Sequence, residues 1–192
     1  LGFSESLQTS LDNLCDWSLK WQLPINVDKS FFVTISRNNI CNCVHSYRIL
    51  CSLLTRRFSV DDLGIAYDCN LCFDNYVNNI ASSAKAKVGL LFRSFKTRDP
   101  ALLKRAYVTY IRPKLEYASN LWNPFHKTTI AVLENVQRYF TRRIPSLSIF
   151  SYEERLAMLN LDTLEKRRLK SDLVLYYKIL HGLSSIPASA FD

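Results

Sequence analysis

Apolar side chains recur at three- and four-residue steps through residues 4–21, where Leu7, Leu11, Leu14, Trp17 or Ser18, and Trp21 trace one face of a helix. Ser4 and Ser6 are candidate N-caps for that helix. Pro24 stops it, because proline pushes the preceding Leu23 into an extended conformation. The period then changes. Phe31 to Ile35 is a short aromatic and β-branched run that reads as a strand. Arg37, Asn38 and Asn39 suit a turn, and residues 40–54 supply one or two further short strands. Another strand is predicted from Ser59 to Ile65, closing on Gly64. A turn follows at Tyr67, Asp68, Cys69 and Asn70, before residues 71–73. The stretch reads as a small β meander.

From Asn75 the helical period takes over. Tyr76, Ile80, Ala84, Val88, Leu91 and Phe95 form one apolar face, with Lys85, Lys87, Arg93 and Lys96 elsewhere on the helix. Asp99 caps a second helix whose first position is Pro100, where the missing N–H costs nothing. It carries Leu102, Leu103, Ala106, Tyr107 and Tyr110 and ends near Arg112 and Pro113. Helical character resumes over 114–122 and breaks at Asn123 and Pro124. Residues 127–143 form another helix with Ile130, Leu133, Val136 and Phe140 inward, ended by Pro145. Ser151 with Glu154 makes a capping box for a short helix to Leu159. Thr163, with Lys166, Arg167 and Arg168, opens the last long helix, which runs through Leu173, Leu175, Tyr176 and Ile179 to Gly182 just past its end. The fold class is therefore α+β: a small α/β region over 1–75, then a helical bundle over 76–192.

At 192 residues with 48% hydrophobic and 22% charged side chains, the chain can bury a real core. No apolar window is long enough to span a membrane, and no basic region followed by an apolar run marks secretion. The expected location is intracellular, cytoplasmic or nuclear. The net charge of +8 changes the picture once it is divided. Residues 1–80 carry 6 basic and 8 acidic side chains, residues 81–170 carry 18 and 7, and residues 171–192 carry 1 and 2. A segment this basic, interleaved with aromatics, is a candidate surface for phosphate backbones, although solvated helix faces would have the same composition.

Catalytic sets are not evident. The glycines are isolated at 2, 64, 89 and 182, so no glycine-rich phosphate loop exists. His45, His126 and His181 are far apart and suit surface or helix-end positions better than a base. Cys41, Cys43, Cys51, Cys69 and Cys72 could supply thiolates to zinc, but only Cys69 and Cys72 have knuckle spacing. With Cys15, they are more simply buried thiols in a reducing compartment, so no metal site is expected. Asp61 and Asp62 resemble a two-metal carboxylate pair, yet Ser59 stands where an aromatic would be expected, and the pair reads as a strand-end feature.

Four segments, in order, resemble the reverse transcriptases of non-LTR, LINE-like retrotransposons of the jockey, CR1 and RTE type. Leu7 to Lys29, with Leu23-Pro24-Ile25-Asn26-Val27-Asp28-Lys29 at its end, is similar to the palm helix running into motif D. Val60 to Phe73 is similar to the primer grip. Ala84 to Arg93, Tyr110 to Ser119 and Trp122-Asn123-Pro124 follow, then Leu133 to Ile144, Tyr152 to Leu156 and Leu164 to Arg168. The resemblance implies that 1–75 is the C-terminal part of a polymerase palm with motif D and the primer grip. It makes 76–192 the helical thumb and its extension. Lys29 would match the motif D lysine, a general acid that protonates pyrophosphate. The residues themselves offer only a surface lysine. The aspartates that bind Mg2+ would lie before Leu1, so the chain alone holds no cofactor and is not expected to catalyse. Asp61 stands where relatives usually carry a basic residue.

The partners implied are an RNA–DNA hybrid, or an RNA template with a DNA primer, and the fingers and palm of the same polymerase. Leu63, Gly64 and Ile65 would press on the primer end, Gly64 allowing close backbone approach. Lys85, Lys87, Arg93, Lys96 and Arg98 would meet phosphates without reading sequence, and Arg138, Arg142 and Arg143 would form a second patch. Tyr107, Tyr110, Trp122 and Phe140 are expected in the core rather than stacked on bases. A helical protein-interaction module derived from such an element, or an inert relic, remains the alternative.

Overall fold

The computed structural model describes residues 2–35 and 46–187. The chain divides into two compact units, Leu1–Cys72 and Phe73–Asp192. Along the chain the α+β pattern holds as predicted, with strands early and helices later.

The first unit opens with helix α1 (Gly2–Lys20). Because it starts at Gly2, Ser4 and Ser6 lie inside it rather than capping it. Gln22 turns the chain with φ +56°, and the Ser18 hydroxyl donates to the Leu23 carbonyl, so the helix stops before Pro24. The face turned inward coincides with the one the leucine spacing predicts only at Leu11 and Ser18. Leu7, Leu14, Trp17 and Trp21 are 44–60% exposed, whereas Cys15 and Ser18 are buried. The reason is a long-range bond. The Gln8 amide accepts from the Arg48 backbone N–H (3.0 Å) and donates to the Arg48 carbonyl (3.1 Å). That amide mimics a neighbouring strand and pins Gln8, Leu11, Cys15 and Ser18 toward the strands.

The strands close as three separate pairs. Strand β1 (Phe31–Phe32) runs parallel to β4 (Thr55–Arg56), with Phe31 opposite Thr55. Strands β2 (Arg48–Ile49) and β3 (Ser52–Leu53) are antiparallel. The hairpin β5 (Ser59–Asp62) and β6 (Ile65–Asp68) pairs Asp62 with Ile65. The single strand expected over 59–65 is therefore broken at Leu63 and Gly64, whose φ values of +50° and +79° make the two-residue turn favoured by strand twist. Asp61 and Asp62 sit exposed at the end of β5, as the strand-end reading expected. The Asp68 carboxylate then accepts from the backbone N–H groups of Asn70 and Cys72, forming the turn expected there. The turn assigned to Arg37, Asn38 and Asn39, and the residues Cys41, Cys43 and His45, lie outside the described residues.

The second unit is helical. It comprises α2 (Asp74–Ser94), α3 (Pro100–Tyr110), α4 (Arg112–Glu116), α5 (Ser119–Trp122), α6 (Lys127–Arg142), α7 (Tyr152–Leu159) and α8 (Leu164–Leu180). The caps follow the local chemistry. Asp99 accepts from the N–H groups of Ala101 and Leu102 ahead of Pro100. Ser151 and Glu154 complete the capping box, and Thr163 accepts from Lys166. Ala118, at φ +50°, splits the helical stretch over 114–122 into α4 and α5. Ala84, Val88, Leu103, Tyr107, Leu115, Leu133, Phe140 and Leu164 are fully buried, and α2 packs along α6. Phe140 stacks on Tyr107 at 4.3 Å and meets Phe92 at 5.9 Å. Trp122 is buried against Tyr76 and donates its indole N–H to the Tyr117 carbonyl.

One expectation of this unit fails. Tyr110, assigned to the core, is the last residue of α3 and is 66% exposed. In α8, Leu173 and Tyr176 are more than half exposed, and the buried residues are Leu164, Arg168 and Ile179.

Candidate nucleic-acid interface

The candidate cations of the second unit cluster around two helices. Helix α2 turns about 100° per residue, which puts Lys85 and Lys87 about 200° apart. They flank the buried stripe of Ala84, Val88 and Leu91 on opposite sides. Lys85 lies over the Tyr139 ring of α6 at 5.2 Å. Lys87 borders a surface groove of about 290 Å3 with Leu90, Leu91, Ser94, Phe95, Tyr110 and Ile111. Arg93 is exposed near the end of α2, and Lys96 is exposed in the link beyond. Arg98 folds back instead and donates to the carbonyls of Phe95 (2.6 Å) and Phe92 (3.3 Å), closing the C-terminus of α2.

The second patch also divides. Arg138 lies over the Tyr152 ring at 4.3 Å, toward α7. Arg143 lies over Phe92 at 4.8 Å and donates to the Tyr139 hydroxyl at 2.8 Å, toward α2. Arg142 is exposed between them. Lys85, Tyr139 and Arg143 thus line the seam between α2 and α6. Stacking holds these cations in place while their charge stays at the surface.

Other basic side chains in 81–170 also serve the fold. Arg112 and Arg167 share Glu116, and Lys166 and Lys170 share Asp162. Arg155 and Arg168 are buried. The hydrogen bond to Glu116 raises the pKa of Arg167. Hydrogen bonds from Lys166 and Lys170 lower Asp162 to about 2.

In the first unit, the residues proposed to press on a primer form the tip of the β5–β6 hairpin. Leu63 is 82% exposed, whereas Ile65 is buried and anchors the turn. A Cβ at Gly64 would meet nothing within 4 Å, so the turn backbone is open to approach. Lys29 is exposed in a short 3-10 turn (Val27–Lys29), held by its backbone N–H donating to the Asn26 side chain at 3.1 Å.

Of the remaining candidates, His126 and His181 stand at helix ends, in tilted ring contact with Phe125 and Tyr177. Cys15 is buried, but Cys51 and Cys72 are exposed and Cys69 half-buried, so burial does not explain those three thiols. Among the described residues, no group of three or more His, Cys, Asp or Glu is placed to hold a metal ion. None of the helices described is long and apolar enough to cross a membrane.

A buried polar network escapes single-residue reading. Gln137 is fully buried; its amide oxygen accepts from the Tyr107 hydroxyl (3.0 Å), and its nitrogen donates to the Tyr152 hydroxyl (3.1 Å) and the Asp162 carbonyl (3.0 Å). Buried Glu134 accepts from the Tyr152 hydroxyl and from the Leu164 backbone N–H. Burial, and for Tyr152 also the bond to Glu134, raises both phenols well above their ordinary pKa. The spacing of Glu134 and Gln137 on the inward face of α6 was the available signal, because polar residues there demand partners.

No family model matches the chain, and no solved structure does. An uncharacterised protein of Caenorhabditis elegans is 32% identical over 131 residues, 67% of this chain and 66% of that protein. The RNA-directed DNA polymerase from mobile element jockey of Drosophila funebris is 25% identical over 144 residues, 73% of this chain. The chain is similar to part of an RNA-directed DNA polymerase. That part is 16% of the jockey polymerase, so most of the longer protein has no counterpart in the matched stretch.

Proposed function

We propose that the chain is a piece of a retrotransposon reverse transcriptase that holds the primer–template duplex, with 1–75 as the end of the palm and 76–192 as the thumb. The observation that carries this reading is the similarity to the jockey polymerase over 144 residues, which crosses from the first unit into the second. The exposed cations along α2 and α6 support it. Contacts from Lys85, Lys87, Arg93, Lys96, Arg138, Arg142 and Arg143 would go to phosphate oxygens, independently of sequence, while Arg98 closes the end of α2. In the first unit, the Leu63, Gly64 and Ile65 turn would meet the primer end.

On this reading the polymerase aspartates and their Mg2+ belong to fingers and palm outside the chain. Lys29 would donate a proton to pyrophosphate only beside them. The test is binding of a labelled RNA–DNA hybrid by the chain and by a K85A/K87A/R93A variant. Weakened binding by a variant that keeps its helical circular dichroism supports the reading. Equal binding by both, or none by the folded wild-type chain, refutes it.

A protein-docking role is the second reading, favoured by the side of α8 where Leu169, Leu173, Val174, Tyr176, Tyr177 and Leu180 are 53–58% exposed. Apolar docking would be indifferent to salt, whereas phosphate binding would not.

A further inference from the structure

Helix α8 has a buried side and, apart from it, a second apolar stripe. At about 100° per residue, Leu164, Arg168 and Ile179 lie on one side of the helix, and these are its buried residues. Leu169, Leu173, Tyr176 and Leu180 lie within about 60° of one another, about 120° round from that side. They are 53–58% exposed, and Leu183, just beyond the helix, is 67% exposed. A surface helix would ordinarily be polar there.

The spacing of the exposed stripe indicates the shape that covers it. Steps of four, three and four residues are those of a seam between two helices, each side chain entering a hole on the facing helix. The order of steps is the same from either end. Two copies of α8 running antiparallel therefore bring Leu169 opposite the partner's Leu180, and Leu173 opposite the partner's Tyr176. Charge selects the same direction. Parallel copies would set Lys166, one heptad before Leu173, against its own counterpart. Antiparallel copies instead bring Lys166 and Lys170 beside the C-terminal carbonyls of the other helix, where cations are favoured. Both lysines keep 59% of their side-chain surface exposed beside Asp162. Lys178, the cation of the last turn, stands on the far side of the helix from the seam.

The area suits a reversible pair. The exposed parts of Leu169, Leu173, Tyr176, Tyr177, Leu180 and Leu183 amount to about 600–700 Å2 per copy, so a pair clears the ~1,000 Å2 total of a specific interface and stays below the ~1,600 Å2 of a standard one. We propose that this stripe is a self-association surface, on which a second copy of the chain packs its own α8 antiparallel through Leu169, Leu173, Tyr176 and Leu180. The proposal rests on the protein-docking reading of α8 and commits it to one occupant; the polymerase reading and its α2–α6 cations are independent of it.

Sedimentation of the whole chain at rising concentration should show a reversible monomer–dimer equilibrium that added salt does not abolish. Leu173→Glu sets a carboxylate in both central layers of the seam and should weaken association about a hundredfold, tenfold for each layer. Because Leu173 is 58% exposed, the variant should keep its helical circular dichroism. Direction is read by exchanging charge. Leu169→Lys and Leu180→Glu should each weaken the dimer, and the two combined in one chain should restore it. Antiparallel packing puts those opposite charges in contact, whereas parallel packing puts like charges together. A monomer at every concentration, a dimer equally strong in folded Leu173→Glu, or no recovery in the combined variant would overturn the proposal. If the chain is a monomer but binds anilinonaphthalene sulfonate in a way that Leu173→Glu removes, the pairing is lost and the docking reading survives.

Discussion

Replacing Gln137 by leucine tests the polar centre of the helical unit without opening a cavity, because the two side chains are similar in volume. Gln137 is fully buried and makes three hydrogen bonds. On substitution, Tyr152 keeps Glu134 as acceptor, so its hydroxyl is not orphaned. Two groups do lose their partner, the Tyr107 hydroxyl and the Asp162 carbonyl. A buried unsatisfied group costs about 1–3 kcal/mol, so the two together should destabilise by about 3 kcal/mol if the structure relaxes partly. The double variant Y107F/Q137L removes the stranded hydroxyl and should recover about 1–2 kcal/mol of that loss. Urea unfolding followed by circular dichroism gives both numbers, provided the slope with denaturant is unchanged. A loss below about 0.5 kcal/mol in Gln137→Leu, or no recovery in the double variant, would refute the network as a coupled unit.

Three further outcomes follow from the same geometry. Ser151→Ala removes half of the capping box before α7 and should cost about 1 kcal/mol in unfolding free energy. Gly64→Val forces a β-branched side chain into φ +79° at the open hairpin tip; it should loosen β5–β6 in hydrogen exchange while α2 to α8 keep their protection. Acidification should loosen the starts of α7 and α8. Asp162 is lowered from its usual 3.8 to about 2, and Glu154 is lowered by its bonds from Ser151, so both favour the folded state above the ordinary carboxylate range. That contribution is lost as pH falls from about 4 toward 2, and Asp162→Asn should remove its share of the pH dependence.

The helices and their caps were legible because capping is local. Asp99 before Pro100, Ser151 with Glu154, and Thr163 act within three residues of themselves, and all three cap as read. The core stripe of α2 was legible for a related reason: Tyr76, Ile80, Ala84, Val88 and Leu91 report burial through their period alone. What was not legible depends on distant partners. The inward face of α1 is chosen by Gln8 bonding to Arg48, forty residues away, against most of the leucine pattern. The parallel pairing of Phe31 with Thr55 has no local signature either. The candidate cations illustrate the same limit. Composition counts charge but does not say which charges are spent inward. Arg155 and Arg168 are buried, and Arg98 caps α2, whereas Lys85 and Arg143 remain at a stacked surface.

The central claim, that this chain holds a nucleic-acid duplex through phosphates, is tested most directly by the affinity for an RNA–DNA hybrid as salt is raised. The logarithm of the binding constant should fall linearly with the logarithm of salt concentration. The slope should become shallower by roughly 0.7–0.9 for each cation removed, so by about 2 to 3 in K85A/K87A/R93A. A slope near zero, or one unchanged in that variant, would contradict the account.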